Sequence, residues 1–390
     1  MKDLATSSFA KAAEDIKNAK KAWPTVRLGD VCEIIAGQSP EGVNYTNDSS
    51  FMEFHQGCKS FGDRYLEPSG VYTKVVTKVA KASSLLMSVR APVGTLNISV
   101  KDVCIGRGLA AFNVCDSLNR DYLYCYLLSA KDRLNKVAGA GTVFPSISRS
   151  QLVSFPVPLP PLTVQRAIVA RLEKELGEAD KLAAKFKRVA ELADDAFKAE
   201  LDETFKTLED NSRRDAEMRR VRLGDVCAVQ RGVRVTRKQL DDDGKYKVYQ
   251  NSLKPLGKYC SFNCHANNPF MIMALAAGEV GFSEEPFWAA DDCTYFKDLK
   301  RLSSKFLYFL LLMNKQELRR NVRQTTIPRL SNKFLEDLVI PLPDLATQRA
   351  IVVKLDAAKE RCEKLKAAAM RGHAAAENLR KAILAEAFEQ

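Results

Sequence analysis

At 390 residues the chain is longer than one ordinary hydrophobic core organises, so two domains are the expectation. Hydrophobic residues make up 46% and charged residues 28%, which excludes disordered, fibrous and disulfide-scaffold classes. Sixty Lys and Arg against 48 Asp and Glu leave a formal charge of +12, which favours a polyanionic partner, nucleic acid first.

In chain order, residues 1–22 carry Lys2, Asp3, Glu14 and Asp15 without an apolar centre, so no signal peptide is read there. Phe9, Ala12, Ile16 and Ala19 share one face and predict a short N-terminal helix. Val26-Arg-Leu-Gly-Asp-Val-Cys32 then opens a stretch that mixes β-rich runs (Val71–Val79, Leu85–Val89) with Gly, Pro and Asn breakers. A helical run over Tyr122–Leu134 leads to Phe144-Pro-Ser-Ile-Ser148 and to Pro158-Leu-Pro160, which halts regular structure and releases a long helix. The order then repeats. Val221–Cys227 has the same seven residues as Val26–Cys32, at an offset of 195. Beta-rich runs at Lys245–Tyr249 and Phe270–Leu275 precede a helical run over Ser304–Leu318. Ile327-Pro-Arg-Leu-Ser331, Pro341-Leu-Pro343 and Gln348-Arg-Ala-Ile-Val352 answer Phe144–Ser148, Pro158–Pro160 and Gln165–Val169 at an offset of 183. The chain is therefore two homologous halves, the first longer by twelve residues between its opening and closing motifs.

Both long helices carry heptads. Ile168, Leu172, Glu175, Ala179, Leu182, Phe186, Val189, Ala193, Ala196 and Glu200 form the first series. Ile351, Leu355, Ala358, Cys362, Leu365, Ala369, Gly372, Ala376, Leu379 and Ile383 form the second. The first helix leads away from the first half, so a second helix packed on it must run back, giving an antiparallel pair. The expected fold class is α+β: two α/β domains separated by two long helices in an antiparallel coiled coil, with a pseudo-two-fold internal repeat. The boundaries read as an N-terminal helix at 1–22, a first head at 23–157 and a central helix at 158–208. A linker at 209–220, a second head at 221–340 and a C-terminal helix at 341–390 complete the chain.

The basic excess lies mainly in 23–150 and 221–340, while 151–220 is nearly neutral. Two similar heads about a two-fold axis suit a bipartite duplex DNA site, and divergent heads suit two different half-sites. The frame Val-Arg-Leu-Gly-Asp-Val, Pro-Leu-Pro and Gln-Arg-Ala-Ile-Val resembles the specificity subunit of type I restriction-modification systems. Gln56–Gly62, Ser88–Gly94 and Ile105–Leu109 look like one version of that family's target recognition domain. Tyr249–Asn251, Gly278–Gly281 and Phe287–Asp291 look like another, and the likeness spans 24–388. The resemblance implies double-stranded DNA as ligand. It also implies two DNA adenine methyltransferase subunits and two ATP-driven restriction subunits as partners.

Base-edge donors and acceptors are matched by Arg, Lys, Asn and Gln on loops. The candidates are Gln56, Lys59, Arg64, Arg90 and Arg107 in the first head. In the second they are Arg231, Arg234, Lys238, Gln250, Asn251 and Lys254. No catalytic residue, metal site or cofactor is expected. Asn267-Asn-Pro-Phe270 departs from an amino-methyltransferase tetrad at its second position, and Gly139-Ala-Gly141 is a lone glycine pair read as a loop. No phosphate-binding Gly-x-x-x-x-Gly-Lys motif is present. Asp241–Asp243 and Asp291-Asp292 lack partners at metal-ligand spacing, and Cys260, Cys264 and His265 lack a second ligand pair. The ten cysteines, without a Cys-x-x-Cys pair, suggest a reduced cytoplasmic protein, with Cys32 and Cys227 as small buried hydrophobes. Apolar runs such as Leu307–Met313 fall far below the roughly 18 residues that span a bilayer. A stand-alone bivalent DNA-binding regulator and a coiled-coil protein scaffold are the rival readings.

Overall fold

The computed structural model describes residues 23–139, 145–214, 219–322 and 329–388. The helix expected over 1–22, and residues 140–141 of the glycine pair, lie outside these. The chain divides into two compact units: Met1–Lys185 with Gly372–Gln390, and Phe186–Arg371.

In the first unit, a four-stranded antiparallel sheet runs in the order Cys32–Ala36, Leu109–Val114, Leu85–Ser88, Leu96–Ile98. Alternation along Leu109–Val114 explains why both faces are covered. Ala110 and Phe112 face a large core with Tyr122, Tyr126, Ile168, Leu172 and Phe388. Leu109 and Ala111 face a smaller core with Leu86 and Ile105, under a five-stranded sheet that includes Met52–His55 and Val103–Ile105. The second unit repeats the plan with the order Ala228–Arg231, Cys293–Lys297, Asn268–Ile272, Val280–Ser283. There Phe296 and Met271 face the core of Phe205, Phe306 and Leu355, while Tyr295, Phe270 and Ile272 face a second cluster with Phe287. Burying each such Phe or Leu contributes roughly 1.5–3 kcal/mol.

The repeat therefore extends through the stretch that looked variable. Ala111 pairs with both Ile35 and Leu86, and Tyr295 with both Gln230 and Phe270. The parallel pairing of His55 with Ile105 recurs as Tyr249 with Ala289. Equivalent residues differ by 194 at His55 and by 184 at Leu86, so ten of the twelve extra residues lie between them. Of the β run expected over Val71–Val79, only the short strands Tyr72–Thr73 and Val79–Ala80 form. Each expected helical run is two helices: Arg120–Ser129 with Lys131–Val137, and Ser304–Met313 with Lys315–Arg320.

Each proline segment begins in a short strand and then halts regular structure before the long helix. Pro156–Pro158 pairs with Thr25–Arg27, and Val339–Leu342 with Arg219–Arg222. The long helices consequently start later than expected, at Leu162 and Leu345. The first runs on into the expected linker as far as Arg214. Within each unit the two helices are antiparallel: Arg380 Nε lies 3.1 Å from Asp180 Oδ1 in the first, and Lys366 Nζ 2.6 Å from Asp194 Oδ2 in the second. Fold class and helix direction match the sequence reading, but the seam does not follow strict heptads. Ile168, Leu172, Leu355, Ala179, Ala193, Ala358, Ala369 and Ala376 are buried, and Phe186, Val189, Ile351 and Ile383 partly so. Leu182, Leu365 and Leu379 are 40–49% exposed, whereas Ala183 and Leu201 are buried. A straight helix of 3.6 residues per turn drifts about 20° per heptad, which moves the first seam from Leu182 to Ala183. Among the described residues no helix is long and apolar enough to cross a membrane.

Candidate functional site

Each head gathers its loops at one end of its four-stranded sheet, and backbone hydrogen bonds set the gathering. In head one, Gly37 N–H donates to Leu109 O and Gln38 N–H to Ile105 O, both at 2.9 Å. Gly108 N–H donates to Gln56 O at 3.1 Å and Val89 N–H to Gly108 O at 2.9 Å. Ser39 ties the cluster: its hydroxyl donates to Gln56 Oε1 at 2.7 Å and accepts from Arg107 N–H at 3.2 Å. Gln56, Arg90 and Arg107 are thereby brought to one region with their side chains exposed, and Lys59 follows in the short turn Cys58–Ser60.

Head two builds the same frame from different residues. Gly232 N–H donates to Cys293 O at 2.8 Å, Val233 N–H to Ala289 O at 2.9 Å and Met273 N–H to Asp292 O at 2.8 Å. Matching these bonds one to one places Gln250 where head one has Gln56, and Asp291 where it has Arg107. Arg231 Nε donates to Asp291 O at 3.0 Å and Gln250 Nε2 to Asp291 Oδ1 at 3.3 Å. A cavity of about 350 Å³ opens here, lined by polar Arg231, Asp291, Arg329 and Asn332 and by apolar Met273 and Leu330 among others. Arg234 and Lys238 are exposed on the neighbouring segment, Lys238 in the turn Arg237–Gln239. Asn251 is partly buried and Lys254 exposed, in the loop between the strands Tyr246–Tyr249 and Gly257–Tyr259.

The two ends offer different chemistry on one scaffold. Glutamine presents one donor and one acceptor, arginine a fork of donors and aspartate only acceptors, which suit adenine, guanine and cytosine edges respectively. Glu53 and His55 are buried in the strand that leads to Gln56. Burial lowers the His55 imidazole below its usual range and keeps it neutral. Burial opposes ionisation of Glu53 as well, but Lys101, 2.9 Å away, and the Ser69 N–H hold its carboxyl below the usual range. Cys32 and Cys227 are buried, and burial raises each thiol to about 12, as fits small core residues.

Arg64 is the candidate the structure takes elsewhere. Its guanidinium donates to Asp121 Oδ1 at 2.9 Å and Glu173 Oε1 at 3.0 Å and lies over the Tyr124 ring, tying head one to the first long helix. Head two makes the equivalent tie with Lys305 and Asp356, 2.8 Å apart. Sequence reasoning chose Arg64 by residue type, and nothing local to it announces two carboxylates 57 and 109 residues away. We expect Arg64→Ala to cost about 1–2 kcal/mol in urea unfolding, because the pair is partly solvated. Its DNA preference should not change; an altered preference would return Arg64 to the reading surface.

Four residues of the site escaped the sequence reading. In the sequence Asp291 stands as the end of a family-like run and as a possible metal carboxylate, not as a base contact, and Arg329 stands as part of the shared closing motif. Gly37 and Gly232 had a usable signal, since they repeat at the same 195-residue offset as the opening motif. A Cβ on either would meet a backbone oxygen, Gly106 O at 2.2 Å or Ala290 O at 2.1 Å, so only glycine allows the loops to close.

A family model described as the type I restriction modification DNA specificity domain matches residues 20–184 and 216–369. A putative type I restriction enzyme specificity subunit of Methanocaldococcus jannaschii is 36% identical over 183 residues, 44% of this chain and 43% of that protein. A putative type I specificity subunit of Mycoplasma pneumoniae is 27% identical over 146 residues, 37% of this chain and 39% of that protein. Each match thus spans less than half of the curated relative. A chain from a structure titled for complex assembly and conformational transition of the type I R-M system shares the fold. The TM-score is 0.70 at 20% identity, over 94% of this chain and 97% of that one. Nothing in these matches favours a stand-alone regulator or a protein scaffold.

Proposed function

The chain belongs to the type I restriction modification DNA specificity family, and from that premise we propose that it is a non-catalytic subunit reading a bipartite duplex site, one half per head. It directs two DNA adenine methyltransferase subunits to that site in the cytoplasm, and two restriction subunits join them for cleavage. The observation that carries this reading is the pair of matched loop clusters. One hydrogen-bonded frame presents Gln56 with Arg107 in head one and Gln250 with Asp291 in head two. Side chains of opposite character on one frame select different bases at equivalent places. The basic surplus of the heads adds sequence-independent attraction to phosphate.

Methyladenine mapping tests the proposal. The chain alone should not methylate DNA; with its methyltransferase it should direct methylation to a split motif. Replacing residues 30–140 with another recognition domain of the family should alter one half of that motif and leave the other unchanged. Methyl transfer by the purified chain itself, or a simultaneous change in both halves, would overturn it.

A further inference from the structure

Two equivalent bridges close the loop clusters. Arg90 pairs with Ser146 in head one, and Ala274 with Arg329 in head two, both antiparallel. The flanking bonds are the same: Ile147 N–H to Val89 O at 3.0 Å, and Leu330 N–H to Met273 O at 2.9 Å. Each is followed by a left-handed glycine, Gly94 at φ 79° and Gly278 at φ 87°. Each bridge holds one arginine and one small residue, and the arginine has changed strands. Residues directly opposed in an antiparallel pair have Cβ atoms roughly 4.5–5.5 Å apart on the same face, so either member can serve one patch of surface. Ala274 is fully covered, so an arginine at that position has no way out to solvent. Ser146 and Arg329 are both exposed.

We infer that Arg329 is a DNA-contacting residue of head two, filling from the opposite strand the place that Arg90 fills in head one. This rests on the specificity-subunit reading above. The Arg329 side chain is 49% exposed, with Nη2 3.3 Å from Asp292 Oδ1. The contact is an ion pair outside hydrogen-bond geometry and engages one nitrogen of the guanidinium fork. A fork of this kind binds paired acceptors on duplex DNA, either guanine O6 and N7 or two phosphate oxygens.

The test uses the full chain with its methyltransferase and a randomised duplex library. Sequencing the bound fraction gives both half-sites, and binding is then measured on the enriched duplex and on a scrambled one. Arg329→Ala should weaken the enriched duplex roughly tenfold or more. Guanine reading would make one position of head two's half-site degenerate; phosphate binding would weaken both duplexes alike. In head one, Arg90→Ala should lose affinity, and adding Ser146→Arg should restore most of it. Asp292→Asn should leave binding intact or tighten it. The inference falls if Arg329→Ala binds as the parent does, if Ser146→Arg restores nothing, or if Asp292→Asn reproduces the loss. A parent complex that enriches no motif would instead overturn the specificity reading itself.

Discussion

Gln165→Leu is expected to destabilise the first unit by about 3–5 kcal/mol, and Gln348→Leu the second by a similar amount, because each leaves one buried and two partly buried backbone groups without their partner. Both side chains are fully buried. Gln165 Oε1 accepts from Asn119 N–H at 2.7 Å, while Nε2 donates to Ser117 O at 2.9 Å and Pro160 O at 2.8 Å. Gln348 repeats the set with Ser303 N–H, Arg301 O and Pro343 O at 2.7, 2.8 and 2.9 Å. One amide thus fastens three things: the start of the helix Arg120–Ser129 or Ser304–Met313, the turn before it and the proline segment leading into the long helix. Leucine has a similar volume and no polar atom, so the loss is of hydrogen bonds and not of packing. Hydrogen exchange followed by mass spectrometry, with urea as perturbant, resolves the two units separately. Protection should fall around 117–129 for Gln165→Leu and around 301–313 for Gln348→Leu. A loss under about 1 kcal/mol would mean that water takes over all three bonds.

These glutamines show where the sequence was legible and where it stopped. The Gln-Arg-Ala-Ile-Val repeat was visible as a repeat, but its glutamine reaches partners 46 and 48 residues back, which no local pattern encodes. The same limit hid the common sheet of the two heads. Leu85–Ser88 is buried on both faces, so its side chains do not alternate in polarity. Its pairing with Leu109–Val114 is carried by backbone groups that any residue supplies. Only shared geometry reveals that Leu86 and Phe270 are equivalent. The long helices were legible because their period is local, and they were misread at Leu182, Leu365 and Leu379. Leucine marks a seam by hydrophobicity, whereas close packing here selects alanine at 183, 358, 369 and 376. Gln56 and Gln250 were chosen separately for their amide chemistry and occupy one position of the common frame. Arg64 was chosen by the same rule and belongs to an ion pair.

Gly37→Ala should abolish reading of head one's half-site while leaving head two's half-site intact, and Gly232→Ala should do the reverse. The added Cβ would lie 2.2 Å from Gly106 O, or 2.1 Å from Ala290 O, and in both cases the obstacle is backbone that cannot rotate away. The glycine also sits between two bonds of the frame, its own N–H to Leu109 O and the next N–H to Ile105 O. Relieving the clash must open one of them, and the segment that moves carries Ser39, which positions both Gln56 and Arg107. Overpacking alone costs roughly 1–3 kcal/mol. A broken buried backbone bond adds about 1–3 kcal/mol more, so a head stability loss near 3 kcal/mol or above is expected. Each misplaced base contact removes a further 1–3 kcal/mol of discrimination, roughly, which makes the affected half-site degenerate. Gly42→Ala is the matched control in the same head, with nothing within 4 Å of its Cβ. It should change stability by less than about 0.5 kcal/mol and leave both half-sites as they were. Selection from randomised duplexes reads each half-site independently, and thermal unfolding reads the cost. If Gly37→Ala kept both the motif and the stability of the parent, the close approach of the loops would not be what holds the reading side chains in place.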